Sequence, residues 1–328
     1  MSESARPRLS VVVPVHNRRD LLRRLLDGLA SQTFEDFEVI VVDDGSGDGA
    51  AEEAEIDRRA GRPVRVLVNP GRGAVAARRA GVAASTAELL AFTDSDCLPV
   101  PGWMAAGVAA LDEGADLVHG PTRPLRPAGP LERTTSSAKE GLYPSCNVFY
   151  RRSAYDAAGG FDPLAAQRFR IGARRRARGL GFGEDTLLAW TVARNGEVLY
   201  VEDAVVHHHV FRPDLAETVS RAAMMVAFPA LVREVPELRN TPLLRGGIEI
   251  GPRSRVPLYV LAVSLLARRR GLARLSGTWW VGLRALELAR KPGPISRHLA
   301  ALPGELAVDV ITASALVAGS ARTRTLVL

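Results

Sequence analysis

Two hydrophobic periods alternate along the first 120 residues. Residues 9–13 are apolar and β-branched almost throughout, which predicts a strand covered on both faces. Behind it, Leu21, Leu22, Leu25, Leu26 and Leu29 recur at helical spacing, and Asn17 is placed to cap that helix. The alternation repeats with strands at 37–42, 64–68 and 88–93. A polar turn at 43–49 leads into a second helix, and residues 71–84 read as a helix of small residues. Such alternation predicts a parallel sheet with right-handed crossovers, whose ligands bind beyond the carboxyl ends of the strands.

The rhythm then changes. Residues 121–130 carry four prolines and predict a loop. Further strands are expected at 145–150, 198–201 and 204–209, with helices at 152–158 and 185–194 and a very basic stretch over 169–178. From about residue 212 onward the pattern is helical and Arg-rich. The expected organisation is an α/β domain over 1–210 and a helical extension over 211–328.

Composition narrows this picture only slightly. At 328 residues and 47% apolar, the chain has material for one large or two smaller cores. Two cysteines, Cys97 and Cys146, exclude a disulfide framework and read as reduced thiols of a cytoplasmic protein. No secretory signal is expected, because residues 1–8 are polar and the apolar run 9–15 is short and contains Pro14. The run 256–267 is too short to span a bilayer. The formal net charge is +7, and all but two of the 43 cationic side chains are Arg. No zinc spacing, aromatic RNA-binding motif or basic heptad accompanies that charge, so nucleic acid is disfavoured as a partner. A basic face also suits phosphorylated substrates or anionic headgroups.

Candidate chemistry collects at the predicted strand ends: residues 14–17, Asp43 and Asp44, residues 69–73, and Asp94-Ser95-Asp96. In extended backbone, two carboxylates at i and i+2 share a side, an arrangement suited to a divalent cation carrying a diphosphate. Neither a G-x-G-x-x-G nor a G-x-x-x-x-G-K-[ST] loop is present, which argues against an ordinary dinucleotide or P-loop site. Taken singly, Asp43-Asp44-Gly45-Ser46 also reads as a turn and cap, Glu184-Asp185 as a helix start, and the histidine run 207–209 as a strand end.

In order and spacing, these segments resemble a family 2 glycosyltransferase. The resemblance rests on Ser10-Val-Val-Val-Pro-Val-His-Asn17, Ser31-Gln-Thr-Phe34, Val41-Val-Asp-Asp-Gly-Ser46 and Phe92-Thr-Asp-Ser-Asp96. It continues through Asn147-Val-Phe-Tyr-Arg-Arg152, Gly159-Gly-Phe-Asp162 and Gly183-Glu-Asp185, covering residues 8–210. It implies a GT-A, Rossmann-like α/β fold with a mostly parallel sheet flanked by helices. It also implies a nucleotide-sugar half over 8–120 and an acceptor half over 121–210.

The same resemblance implies roles. Asp44, with Asp43, would meet the nucleotide base or ribose, and Pro14, Val15, His16 and Asn17 would line that pocket. Arg78 would hold the nucleotide, although Arg79 stands where the family usually has Asn. Asp94 and Ser95 would serve the ribose or a metal-bound water, and Asp96 would ligate Mn²⁺ or Mg²⁺ with a histidine, for which His207 is favoured. Asp185, with Glu184 beside it, would be the general base of a single inverting displacement from a nucleoside-diphosphate sugar, UDP-linked by family habit. The acceptor hydroxyl is open: a glycan, a lipid-linked intermediate or a small metabolite.

Two other classes stay in view, a nucleotidyltransferase-like enzyme and a non-catalytic nucleotide-sugar binder. Pro14-Val-His-Asn17 stands where the first would need a Gly-rich basic loop. In the last third, the apolar run 256–267 precedes Arg268-Arg269-Arg270, and Trp279-Trp280 follows. That pattern suits helices packed on a core or on a second copy of the chain, and also a helix lying peripherally on the inner face of a membrane. Packing is the favoured reading.

Overall fold

The computed structural model describes residues 6–169 and 181–328. Most of the basic stretch 169–178, with Arg174, Arg175, Arg176 and Arg178, lies outside the described residues. The chain divides into two compact units, one reaching to Leu125 and resuming over Thr135–His209, the other formed by Arg126–Thr134 and Val210–Leu328. Residues 126–134, sequence neighbours of the α/β part, thus belong to the second unit.

The first unit is built on strands β1 (Leu9–Val15), β2 (Phe37–Asp43), β3 (Val64–Val68) and β4 (Leu89–Phe92). Between them run helices α1 (Arg19–Ala30), α2 (Ala50–Arg59) and α3 (Ala74–Ala84). After β4 come β5 (Cys97–Pro99), α4 (Trp103–Asp112), β6 (Leu117–His119), β7 (Thr122–Pro124), β8 (Val148–Arg151) and α5 (Arg152–Ala157). Strands β9 (Val198–Tyr200) and β10 (Val206–His208) follow the helix Glu184–Ala193.

The main sheet has the order β3-β2-β1-β4-β8-β6-β9. Its first four strands are parallel, as the strand–helix alternation requires. β8 then enters antiparallel to both β4 and β6, so the sheet is mixed beyond β4. A smaller sheet, β5-β10-β7, joins the segment after β4 to the histidine run.

Every residue of β1 is buried, which explains its nearly continuous apolar sequence; the one polar residue, Ser10, donates to Glu38 at 2.7 Å. Val11 and Val13 face the cluster that takes Leu22, Leu25 and Leu29 of α1, while Val12 faces the opposite cluster. Helix α3 lies so close to the sheet that a Cβ on Gly81 would stand 2.5 Å from Val12 Cγ1 and 3.2 Å from Val42 Cγ2. Both valines are fully buried and stiff about χ1, so neither can yield. Gly81→Ala is therefore expected to lose about 1–2 kcal/mol in urea unfolding, overpacking outweighing the gain in helix propensity. Arg78 sits one turn earlier on α3, so this approach also fixes the height of its guanidinium.

The expected cap of α1 is corrected. Asn17 has a left-handed backbone (φ 51°), and its side-chain oxygen accepts from the Gly47 amide rather than from the helix. The first turn is satisfied instead by Asp48, whose carboxylate accepts from the Arg19 amide at 2.9 Å. The β1–α1 and β2–α2 connections are thereby tied together.

The second unit is helical. Its longest helix, Ile295–Thr323, buries Glu305 and Asp309 against cations of the same unit. Asp309 accepts from Trp280 Nε1 and Arg255 Nε at 3.1 Å each and pairs with Arg284. By length and composition alone, the stretches 215–234 and 295–323 could each cross a bilayer, and 39% of each apolar window is buried.

Candidate active site

The carboxyl ends of β1, β2 and β3 form one side of the site. Pro14 and Val15 are buried strand residues, whereas His16 and Asn17 stand at the exposed strand end. The His16 ring nitrogen Nδ1 lies 3.0 Å from the Asp44 carbonyl oxygen, and Asn17 Nδ2 lies 3.0 Å from His16 Nε2. Asp44 is buried, and its carboxylate is already engaged. Oδ1 accepts from Asn69 Nδ2 at 2.5 Å and the Arg72 amide at 2.9 Å, and Oδ2 accepts from the Gly73 amide at 2.7 Å. Asp44 thus clamps the loop ahead of α3. Asp43 is held more loosely, by the Ser46 amide at 3.3 Å from each oxygen.

Asp94 and Asp96 do not share a side. Residues 93–96 leave the strand and turn, with the Cys97 amide donating to the Asp94 carbonyl at 3.0 Å. The two side chains go to different arginines. Asp94, 29% exposed, accepts from Arg78 at 2.6 Å; Asp96, 4% exposed, pairs with Arg18. Ser95 is buried between them.

Arg78 is the centre of this arrangement. Its guanidinium is buried, with the Phe161 ring 5.8 Å away. Burial acts to lower its pKa, but the surrounding carboxylates of Asp94, Glu184 and Asp185 outweigh this and raise it. Arg79, the departure from the family pattern, donates to the Phe161 carbonyl at 2.8 Å and so anchors the Gly159-Gly160-Phe161 segment.

Glu184 and Asp185 open the helix Glu184–Ala193, which starts from Gly183 in a left-handed conformation (φ 71°) open to glycine at little cost. Glu184 is buried and its Oε2 has no hydrogen-bond partner. Burial first, and the neighbouring Asp185 second, push its pKa up to about 7. Asp185 is only partly covered, and burial raises its pKa too. Backbone amides orient it: Thr186 donates to Oδ1 at 2.8 Å and Ser145 to Oδ2 at 3.3 Å.

The structure sets His208, rather than the favoured His207, beside Asp96. Strand parity separates His208 from His207 and His209, and it is His208 that is buried against Asp96, with Nε2 3.6 Å from Oδ1. Asp96, Cys97 and His208 bring potential ligand atoms within 4.8 Å of one another. Burial, with Cys146 next in effect, holds the Cys97 thiol well above its ordinary pKa. The carboxylate and the imidazole are the donors of this trio that suit Mn²⁺ and accept Mg²⁺, whereas sulfur suits softer metals. Titrated with Mn²⁺ alone, His208→Ala is expected to bind at least about tenfold more weakly than wild type, and His207→Ala like wild type, by calorimetry.

Residues 10–170 match the family described as Glycosyl transferase family 2. Residues 10–170 are a family 2 glycosyltransferase domain. Among curated relatives, glycosyltransferase AglE of Haloferax volcanii is 31% identical over 173 residues, covering 48% of this chain and 57% of its own. The pre-mycofactocin glycosyltransferase of Mycobacterium tuberculosis is 29% identical over 309 residues, covering 86% of this chain and 57% of its own. The chain thus spans little more than half the length of these relatives.

A mannosyltransferase of Pyrobaculum calidifontis, solved with GDP-mannose and Mn²⁺, superposes with a TM-score of 0.56. It covers 98% of this chain and 88% of its own at 18% identity, a likeness of fold that makes the first unit a GT-A fold.

Of the residues that the family resemblance implied, the structure brings Arg78, Asp94, Glu184 and Asp185 together. Asp43, Asp44, His16 and Asn17 form a neighbouring group at the ends of β1 and β2. Arg18 and His208 were not singled out. For His208 strand parity was the available signal; for Arg18, which lies 78 residues from Asp96, there was none.

Proposed function

We propose that the first unit is the catalytic domain of an inverting glycosyltransferase, moving a sugar from a nucleoside diphosphate to an acceptor hydroxyl. The observation that carries this reading is Arg78, buried with carboxylates on two sides. Asp94 reaches it from the end of β4, and Glu184 and Asp185 influence it from a segment ninety residues later in the chain. In this reading the first pair of segments holds the donor and the second the acceptor.

Asp43, with oxygens only weakly engaged, takes the nucleotide base or ribose. Asp44 holds the loop 69–73 in place beside it, and His16 and Asn17 edge the pocket. Arg78 and Arg18 balance the charge of Asp94 and Asp96 until the donor arrives. Asp96 and His208 would hold Mn²⁺ or Mg²⁺, which would supply positive charge to the departing diphosphate.

Asp185 is the base. A sugar hydroxyl is a poor nucleophile at neutral pH. Asp185 takes its proton as the new oxygen–carbon bond forms, while the bond from the anomeric carbon to phosphate oxygen breaks and its electron pair leaves with the diphosphate. A single displacement inverts the anomeric carbon. Glu184, protonated below about pH 7, keeps a second full charge from forming beside Asp185. A UDP sugar is the first donor to try, and the free, buried thiols of Cys97 and Cys146 fit a cytoplasmic setting.

The test is a panel of UDP, GDP and dTDP sugars incubated with the full chain, with released nucleoside diphosphate as readout. Slow release from one nucleotide class, stimulated by Mn²⁺, is the expected result. No release from any donor and no binding of UDP, GDP or dTDP enhanced by Mn²⁺ would refute the reading.

A further inference from the structure

Two helices of the second unit bury some apolar side chains but leave others exposed at helical spacing. Val256–Leu266 packs on Arg270–Ala289 as a helical hairpin. The first helix buries Ser264 and leaves Val263 and Leu266 exposed, Leu266 to 85%. The second buries Ser276 and Arg284 on one stripe, and on the next stripe exposes Leu275 to 66% and Trp279 to 48%. The bare stripe recurs at helical spacing, where a solvated helix would carry polar side chains. Between the helices lies a shallow cavity of about 550 Å³, lined by Val260, Leu272, Leu275, Ser276, Thr278 and Trp279.

Charge says what covers this face. Residues 251–286 contain no Asp or Glu against seven arginines. Arg268, Arg269 and Arg270 form the exposed tip of the hairpin, and Arg274 stands one turn further on. None of these four has a carboxylate partner among the described residues, whereas the buried Arg284 is paired with Asp309, Glu287 and Glu305. A second copy of this net-basic chain would set arginine against arginine. A nucleic acid would leave the leucines and Trp279 unsatisfied. An anionic bilayer surface answers both features, its headgroups taking the arginines and its acyl boundary taking the apolar stripe.

We infer that the hairpin 256–289 docks the protein peripherally on an anionic membrane, with Leu266, Leu275 and Trp279 entering the interface and Arg268, Arg269, Arg270 and Arg274 meeting lipid phosphates. The bare stripe is what favours this reading over packing on a core or on a second copy: Trp280 packs inward and Trp279 does not. The inference is independent of the transfer chemistry.

Flotation of the full chain with vesicles tests it. Binding is expected to vesicles containing phosphatidylglycerol, to fall steeply with added salt, and to be weak on phosphatidylcholine alone. Replacing Arg268, Arg269 and Arg270 together by Ala is expected to weaken partitioning about a hundredfold. Leu266→Glu/Leu275→Glu is expected to abolish it, with circular dichroism unchanged because both side chains are exposed. In the unmodified protein, tryptophan emission should shift to the blue on anionic vesicles, and Trp279→Phe should remove most of that shift. No flotation on anionic vesicles, or flotation unaffected by both sets of substitutions, would overturn the inference. So would a concentration-dependent dimer in ultracentrifugation that Leu266→Glu/Leu275→Glu dissociates, since the face would then be a contact between copies.

Discussion

Asp185→Asn is expected to lower the turnover of sugar transfer by about 10²–10⁴-fold, the range that a positioned general base contributes. Donor affinity should stay within about twofold of wild type, because the Asp185 amide contacts come from Ser145 and Thr186 rather than from the donor side. Asn keeps the size of the side chain and one acceptor oxygen, so the fold should survive. The measurement is steady-state turnover together with calorimetric binding of the nucleoside diphosphate in Mn²⁺. A loss confined to KM would place Asp185 in ground-state binding instead.

The neighbouring Glu184 adds a pH dependence to this prediction. Glu184 and Asp185 are adjacent, and burial raises both, Glu184 to about 7. The acid limb of kcat/KM should therefore lie above the range of an ordinary aspartate, and ionisation of Glu184 near pH 7 should add a second step that Glu184→Gln removes.

The same pair costs stability, and the sign is fixed by linkage. A carboxyl whose folded pKa lies above its unfolded value binds protons more tightly in the folded state. Stability is then full below about pH 4.5 and declines as pH rises toward 7. Glu184→Gln should accordingly stabilise the protein at pH 8 more than at pH 5 in urea unfolding. The unpartnered Oε2 of Glu184 is the structural trace of that cost.

Asp96→Asn is the second large effect. It is expected to remove Mn²⁺ binding and lower metal-stimulated transfer by about 10³-fold, in line with the several kcal/mol that a Lewis acid gives a departing phosphate. Arg18, its ion-pair partner, is 31% exposed and can return to water, so the variant should fold. Asp94→Asn should act differently. Asp94 neutralises a buried arginine, and its loss should weaken donor binding and destabilise the fold while leaving binding of Mn²⁺ alone nearly intact. Manganese titration of the two variants in parallel separates the roles. Equal loss of metal affinity in both would mean that the two carboxylates act as one ligand pair.

How much of this was legible depends on which residues are considered. β1, β2 and β4 were readable because each is a short, largely apolar run buried on the sheet, and such burial writes itself into local composition; β3, only partly buried, was readable from its β-branched residues. β5, β6 and β7, three residues each, were not read, although β9 and β10 are as short and were. Helix α4 escaped because its sequence is apolar nearly all round, so no stripe marks it.

In the site, the order of the acidic segments was legible, and so were the identities of Asp43, Asp44, Asp94, Asp96, Glu184 and Asp185. Their partners were not. The expectation that Asp94 and Asp96 share a side assumed that the strand runs on through them, and the backbone turns at residue 94.

By itself, then, the sequence determined the first four strands, the family and the acidic residues gathered at the strand ends, because local burial and turn chemistry leave their mark residue by residue. Only the tertiary structure decided that Asp94 belongs with Arg78, that Asp96 belongs with Arg18 and His208, and that a hairpin of the second unit leaves a stripe of leucines bare. These are pairings across tens of residues. They follow from the strand order of the sheet and from which face of a helix finds a neighbour, neither of which is encoded in any short window of the chain.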